Sequence, residues 1–259
     1  MEITSYKPGT PSWIDLGSPN TDESAAFYGE LFGWEVLPSM PDSGGYRICH
    51  YNGRPVAAFG VQTQSDVPPY WTTYVSVTDA DATVKAVETA GGTVLLAPME
   101  VPTQGRFAMF ADPNGAVFSV WQPNQFAGAG VVNEPNTLTW NELTTRNTDR
   151  SIVFYSEVFG WTADAMPMGD GVNYTVWMLE GGPVGGMLPM GEMFPPEVPP
   201  FWQVYFSVAD TDATLAKARE LGGSVVDGPS DTPQGRMAVL RDPHGAMFAV
   251  IAMPPPSEG

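Results

Sequence analysis

Trp13 and Asp15 alternate along one short segment, and Trp140 and Glu142 repeat the arrangement in the second half of the chain. In an extended strand alternate residues share a face, so each pair sets an indole beside a carboxylate. Ile14 and Leu16 then point the other way, under a helix. A second segment adds Thr72 and Tyr74, answered later by Gln203 and Tyr205, with Val75 and Val77 facing the helix side. A third adds Ser119 and Trp121. A concave wall of Trp, Tyr, hydroxyls and a carboxylate suits a planar, partly polar ligand. A cationic ligand would engage the indole face and the carboxylate together. Trp13 and Trp140 can equally be core residues. Against that stands the cost of an acidic group on a dry inner face, which a wet cavity relieves.

Asp15, Glu142 and His50 are the groups here able to act as general acid or base. His50 also reads as an ordinary strand histidine, and His244, in an Asp-Pro-His-Gly turn, as a solvated turn residue. Arg106 and Arg236 follow a glycine in both halves. They either contact an anion or pair with Asp112 and Asp242. Tyr28 and Tyr155 read as helix-to-sheet packing residues. Cys49, the one cysteine, reads as a small strand residue. Met166, Met168, Met187, Met190 and Met193 cluster in the second half, as pocket lining or as core.

The elements that position these groups come twice. Phe27-Tyr28 and Phe32-Gly33-Trp34 recur as Phe154-Tyr155 and Phe159-Gly160-Trp161. Pro68-Pro69-Tyr70-Trp71 recurs as Pro199-Pro200-Phe201-Trp202, and Gly91-Gly92 as Gly222-Gly223. The Asp112 to Gly115 turn recurs at Asp242 to Gly245. Ordered matches of this number identify a tandem duplication. Within each half a strand, a helix with an acidic start and a glycine stop, and three short strands come in sequence, and then the cycle restarts. The chain therefore holds four β-α-β-β-β modules. The expected layout is a first domain over 1–124, a linker over 125–136, a second domain over 137–254 and a loose tail over 255–259. Pro195 to Pro200 reads as a rigid connector between modules.

The paired modules, the Phe-Gly-Trp helix ends and the Asp-Pro-x-Gly turns resemble the vicinal oxygen chelate superfamily. Its members include glyoxalase I, extradiol dioxygenases, fosfomycin-resistance enzymes and bleomycin-binding proteins. The resemblance covers nearly the whole chain. It implies an α+β fold of two tandem glyoxalase-like domains, each with a curved mixed sheet and helices outside. It also implies metal ligands at Trp13, about Ala58, Thr72 and Ser119, and at Trp140, about Gly186, Gln203 and Ala249. Of these only Gln203 is a plausible donor, and one amide cannot hold a metal. The expectation is therefore no metal and no cofactor, which weighs against glyoxalase I and ring-cleaving activity.

The chain has 259 residues, of which 43% are hydrophobic, enough for sizeable cores. Its net charge of −18 repels nucleic acid and anionic membranes and attracts cations. A single cysteine and the lack of a signal-like or membrane-length apolar run fit a cytoplasmic protein. No nucleotide-binding glycine loop, zinc-type Cys/His spacing or nucleophile elbow is present. The expected partner is a small aromatic or cationic metabolite, bound by a monomer or homodimer, in antibiotic biosynthesis or self-resistance. A metal-free tailoring enzyme is the alternative, a metal-dependent lyase or dioxygenase the less favoured one, and an interaction protein stays open. The halves differ at Asp15/Glu142, Thr72/Gln203 and Ser119/Ala249, so one pocket can have lost its function.

Overall fold

The computed structural model describes residues 3–39, 43–64, 67–169, 172–192 and 194–254. Met193 and the tail at 255–259 lie outside the described residues.

The first half runs β1 (Pro11–Ser18), α1 (Thr21–Phe32), β2 (Glu35–Val36), β3 (Arg47–Tyr51), β4 (Arg54–Val61), β5 (Tyr70–Ser76), α2 (Ala80–Thr89), β6 (Thr93–Val101), β7 (Gly105–Ala111) and β8 (Val117–Pro123). The second repeats the series. It comprises β9 (Leu138–Thr145), α3 (Thr148–Phe159), β10 (Thr162–Gly169), β11 (Val172–Leu179), β12 (Gly182–Pro189), β13 (Phe201–Ser207), α4 (Thr211–Glu220), β14 (Ser224–Thr232), β15 (Gly235–Arg241) and β16 (Met247–Ala252). These are the four expected β-α-β-β-β modules.

Local chemistry sets the helix limits. Asn20 caps α1 by accepting from the Asp22 and Glu23 amides, and Gly33 ends it in the left-handed region at φ 71°. Asp79 and Asp210 cap α2 and α4 in the same way. Each half forms one eight-stranded mixed sheet. The orders are β2-β3-β4-β1-β5-β8-β7-β6 and β10-β11-β12-β9-β13-β16-β15-β14. Strands β1 and β5 pair antiparallel at the centre, with Trp13 opposite Tyr74 and Asp15 opposite Thr72. Strands β9 and β13 set Trp140 opposite Tyr205 and Glu142 opposite Gln203.

The helical faces of the two sheets pack on each other, so neither core belongs to one half. Ile14, Leu16, Phe27 and Phe32 share a core with Val204, Phe206, Leu240 and Phe248. Val75, Phe110 and Phe118 share the other with Leu143, Phe154, Trp161 and Trp177. The Gly-Gly pairs serve this contact. A Cβ on Gly92 would meet the Phe154 ring at 2.8 Å, and one on Gly223 would meet the Phe27 ring at 3.1 Å.

Tyr28 and Tyr155 do more than pack. The Tyr28 hydroxyl accepts from Trp71 Nε1 (3.1 Å) and donates to Asp242 in the other half (3.2 Å). Tyr155 accepts from Trp202 Nε1 (3.0 Å) and donates to Asp112 (3.2 Å). The second oxygen of each aspartate accepts amides of its own turn. The turns dock on the opposite helix starts. Asn114 donates to the Asn147 carbonyl and the Ser151 hydroxyl, and His244 Nε2 lies 3.2 Å from Glu23.

Two sequence expectations need correction here. His244 is not a solvated turn residue, because the turn is wedged against α1 and leaves its side chain 17% exposed. Arg106 and Arg236 do not pair with Asp112 and Asp242, whose oxygens are taken by turn amides and tyrosines. Arg106 instead meets Asp81 (2.7 Å) and Glu100 (3.0 Å), and Arg236 meets Asp212 (2.8 Å) and Asp231 (3.0 Å). Of the methionines, Met187 is core, while Met166 and Met168 are exposed. Arg146 holds the Pro195 to Pro200 stretch by donating to the Pro195 and Val198 carbonyls.

Removing one tyrosine hydroxyl leaves a buried indole N–H and a buried carboxylate oxygen short of a partner. Tyr28→Phe and Tyr155→Phe should each lower the free energy of unfolding by about 1–3 kcal/mol in urea melts. Unchanged midpoints in both would show that the two halves do not depend on these bonds.

Candidate functional site

Each sheet carries a buried carboxylate on the face away from its helices. Asp15 is 9% exposed and Glu142 8%. Asp15 accepts hydrogen bonds from Tyr74 (2.8 Å) and Tyr46 (3.1 Å), and Trp13 Nε1 donates to the Tyr46 oxygen (3.0 Å). Glu142 accepts from Tyr205 (2.9 Å) and has the Tyr174 hydroxyl as a near neighbour that lowers its pKa, and Trp140 Nε1 donates to the Tyr174 oxygen (2.8 Å). The indole, two phenols and the carboxylate thus form one relay, built twice. The phenols Tyr46 and Tyr174 were missed in the sequence. The available signal was their equal spacing ahead of Pro55 and Pro183.

Burial drives the acid chemistry of both sites. The Asp15 carboxyl is pushed up to about 6 by desolvation, opposed by hydrogen bonds from Tyr74, Tyr46 and Thr72. Glu142 is raised for the same reason, against hydrogen bonds from Tyr174 and Tyr205. The four phenols are raised as well, chiefly by burial and then by the neighbouring carboxylate, so they stay protonated donors.

The two copies differ in access. Trp13 is 3% exposed, and Phe126 stands edge-on to it with ring centres 4.9 Å apart. Trp121 closes the other side, donating to the Phe126 carbonyl (2.7 Å). Thr72, Tyr74 and Ser119 are buried beneath this plug. In the second half Trp140 and Tyr174 are only half-buried, while Gln203 and Tyr205 lie beside Glu142 on the floor. Where the first half has Trp121 opposite Phe107, the second has Ile251 opposite Met237. Smaller and more flexible side chains replace two aromatic rings there. The exposed Met166 lies opposite Tyr174 in the strand pairing, at the rim.

His50 is not brought to either carboxylate. It is the penultimate residue of β3, opposite Glu35, two residues beyond the Ile48 that is in register with Ala58. Cys49 is fully buried in the first core, and burial pushes its thiol well above the ordinary range, so it is no nucleophile.

The comparisons bear on what such a fold can be. A family model described as the Glyoxalase/Bleomycin resistance protein/Dioxygenase superfamily matches residues 10–120 and again 136–250. The chain belongs to that superfamily. It is 43% identical to the anthracycline biosynthesis protein DauV of Streptomyces sp. (strain C5), over 97% of this chain and 96% of that one. It is also 43% identical to the putative glyoxylase CFP32 of Mycobacterium tuberculosis, over 96% and 97%. Among solved structures, a Mn(II)-bound glyoxalase from Novosphingobium aromaticivorans aligns with TM-score 0.65 at 16% identity, covering 95% of this chain and 82% of that one. The 2,3-dioxygenase LapB of Pseudomonas sp. KL28 aligns with TM-score 0.64 at 14% identity, covering 96% and 95%. At such identities the likeness is one of fold.

The metal chemistry of this fold does not fit the residues present. Among the described residues no three His, Cys, Asp or Glu side chains converge. Asp15 is already committed to two phenol donors and Glu142 to Tyr205. Their register neighbours are Ala58 and Thr72 in the first half and Gly186 and Gln203 in the second. A Cβ on Gly186 would collide with the Tyr174 hydroxyl, so glycine there makes room for a phenol.

The Asp15 shift has a definite sign in stability. Between its ordinary value of about 4 and the folded value of about 6, the native chain holds a proton that the unfolded chain has released. Stability from this group is therefore greatest below the window and falls as pH rises through it, by about 3 kcal/mol at most. Urea melts of the protein and of Asp15→Asn across the window should differ in slope, the variant being flatter. Parallel profiles would show that Asp15 is not held protonated.

Proposed function

We propose that the chain is a metal-independent small-molecule-binding protein of the glyoxalase and bleomycin-resistance type. Its ligand is a planar aromatic metabolite carrying a positive charge, taken on the concave face of the second half. The observation that carries this reading is the partly exposed Trp140 indole beside the buried Glu142 carboxylate. An aromatic cation can stack on the indole while its charge meets the carboxylate. The indole contact contributes about 0.5–2 kcal/mol, more as water is excluded. Tyr174 and Tyr205 hold the carboxylate in place, so little ordering is left for binding to cost. The net charge of −18 draws cations to the site. Relatives named for anthracycline biosynthesis, at 43% and 42% identity over nearly the full chain, support a role in antibiotic biosynthesis or self-resistance.

A second reading, a metal-free tailoring enzyme, is favoured by the raised Glu142 carboxyl. Burial moves it towards the range in which a carboxylic acid can exchange protons near neutrality. Turnover of a bound aromatic that is abolished in Glu142→Gln with affinity retained would select this reading.

Proflavine, a planar tricyclic cation, and a neutral tricyclic isostere test the binding reading. Proflavine should bind more tightly, and Glu142→Gln should weaken it by about ten-fold, or about 1.4 kcal/mol, without affecting the isostere. Affinity for the cation should rise with pH as Glu142 ionises. Trp140→Phe should remove most of the fluorescence quenching. Equal affinity for cation and isostere at every pH would exclude the carboxylate as the recognition element.

A further inference from the structure

The first half contains a seated ligand of its own making. After β8 the chain turns back, and residues 126–130 lie in the gap where β1 and β4 splay before their pairing begins at Asp15 and Ala58. Phe126 packs edge-on to Trp13 at 4.9 Å. The Ala129 amide donates to the Ser12 carbonyl (2.8 Å), and the Gly130 amide donates to the Pro55 carbonyl (2.7 Å). The Tyr6 hydroxyl donates to the Ala129 carbonyl (2.7 Å). The seat is close. A Cβ on Gly128 has no room beside the Ser12 carbonyl, and one on Gly130 would meet Pro55 at 3.1 Å.

The duplication places a matching seat in the second half. Ser12, Trp13 and Pro55 correspond to Thr139, Trp140 and Pro183, and Tyr6 corresponds to Asn133. Ser12 and Thr139 fall at the same irregularity in the central strand pairing. Strands β9 and β12 also splay before they pair, from Glu142 and Gly186 onward. There the structure has an open cleft of about 580 Å3, and Thr139, Trp140, Pro183 and Asn133 all line it. The Ser12 and Pro55 carbonyls, the Trp13 indole and the Tyr6 hydroxyl thus have counterparts on the wall of this cleft, whereas Ile251 stands where the Trp121 indole also holds Phe126. Asn133 holds its side-chain oxygen to the Thr139 hydroxyl (3.0 Å), which leaves its amide nitrogen to serve as Tyr6 does.

We propose that this cleft docks an extended peptide segment bearing an aromatic side chain followed, three residues on, by small residues. The ring takes the place of Phe126 against the Trp140 indole. Two consecutive amides meet the Thr139 and Pro183 carbonyls, and the carbonyl between them accepts from Asn133. This is strand addition into a splayed sheet, in which main-chain bonds supply affinity and one side-chain pocket supplies selection. The site shares the indole with the concave face but reads backbone groups and not the Glu142 carboxylate.

The full chain and the acetylated, amidated peptide of residues 124–131 test this, followed by the Trp140 indole N–H resonance. In the first half the strap is tethered, which supplies an effective concentration in the millimolar range, so the free peptide should saturate the shift at about 1 mM or below. A peptide with Phe126→Ala, and one N-methylated at Ala129, should each bind at least about ten-fold more weakly. Asn133→Ala in the protein should weaken the parent peptide several-fold and leave proflavine quenching unchanged. The absence of saturable shifts, or shifts indifferent to both peptide changes, would overturn the proposal. Saturation only after deletion of residues 255–259 would overturn it too, by assigning the cleft to the chain's own end. Failure of the proflavine test with peptide binding intact would remove the carboxylate reading and leave this one standing.

Discussion

Everything in this molecule follows from apolar helical faces that only the other half can cover. Tyr28 and Phe32 on α1 and Phe59 on β4 share one core with Phe206 and Phe248 of the other half, and the second core repeats the arrangement. The hydrophobic gain comes with a polar condition. The Tyr28 and Tyr155 hydroxyls and the Trp71 and Trp202 indoles are carried into the same dry interface, where unpaired polar groups cost about 1–3 kcal/mol each. Asp242 and Asp112, reaching across from the opposite turns, meet that condition. Those contacts fix the two sheets back to back. The concave faces, turned away from the interface, are what remains for a ligand.

On those faces the central strands place a buried carboxylate, Asp15 in one half and Glu142 in the other, beside phenols that donate to it. A carboxylate held by two hydroxyl donors is rigid, partly desolvated and reluctant to ionise. Ionising such a group becomes easier when a positive charge is brought beside it. The indole nitrogen completes the geometry by orienting the tyrosine that orients the carboxylate. The arrangement therefore works through positions that an inventory of metal ligands passes over.

Short-range features were legible in the sequence. The Phe-Gly-Trp helix ends, the aspartate caps and the strand alternation at Trp13 to Leu16 depend on neighbours within a few residues, and the structure has them where their chemistry places them. Partners far apart in the chain were not legible. Arg106 and Asp112 are close in sequence, yet strand β7 carries Arg106 to Asp81 and Glu100. His244 was read as exposed because its turn is exposed in isolation, but α1 of the other half packs on it. Tyr46 and Tyr174 lie on segments with no local reason to approach the central strand. Only sheet register brings them there.

The difference between the halves is a matter of filling. Trp121, Phe107 and Phe126 close over Trp13, and each ring buried there adds apolar burial of about 2–3 kcal/mol or more to stability. With Ile251 and Met237 in place of those rings Trp140 stays partly exposed, and Met166 and Met168 are exposed. An uncovered indole beside exposed methionines forfeits that stabilisation and invites self-association. A strongly acidic surface counters the association by mutual repulsion. Duplication makes such an asymmetry tolerable. The sealed copy and the shared cores supply the stability, and the open copy is left free to keep a less completely filled face.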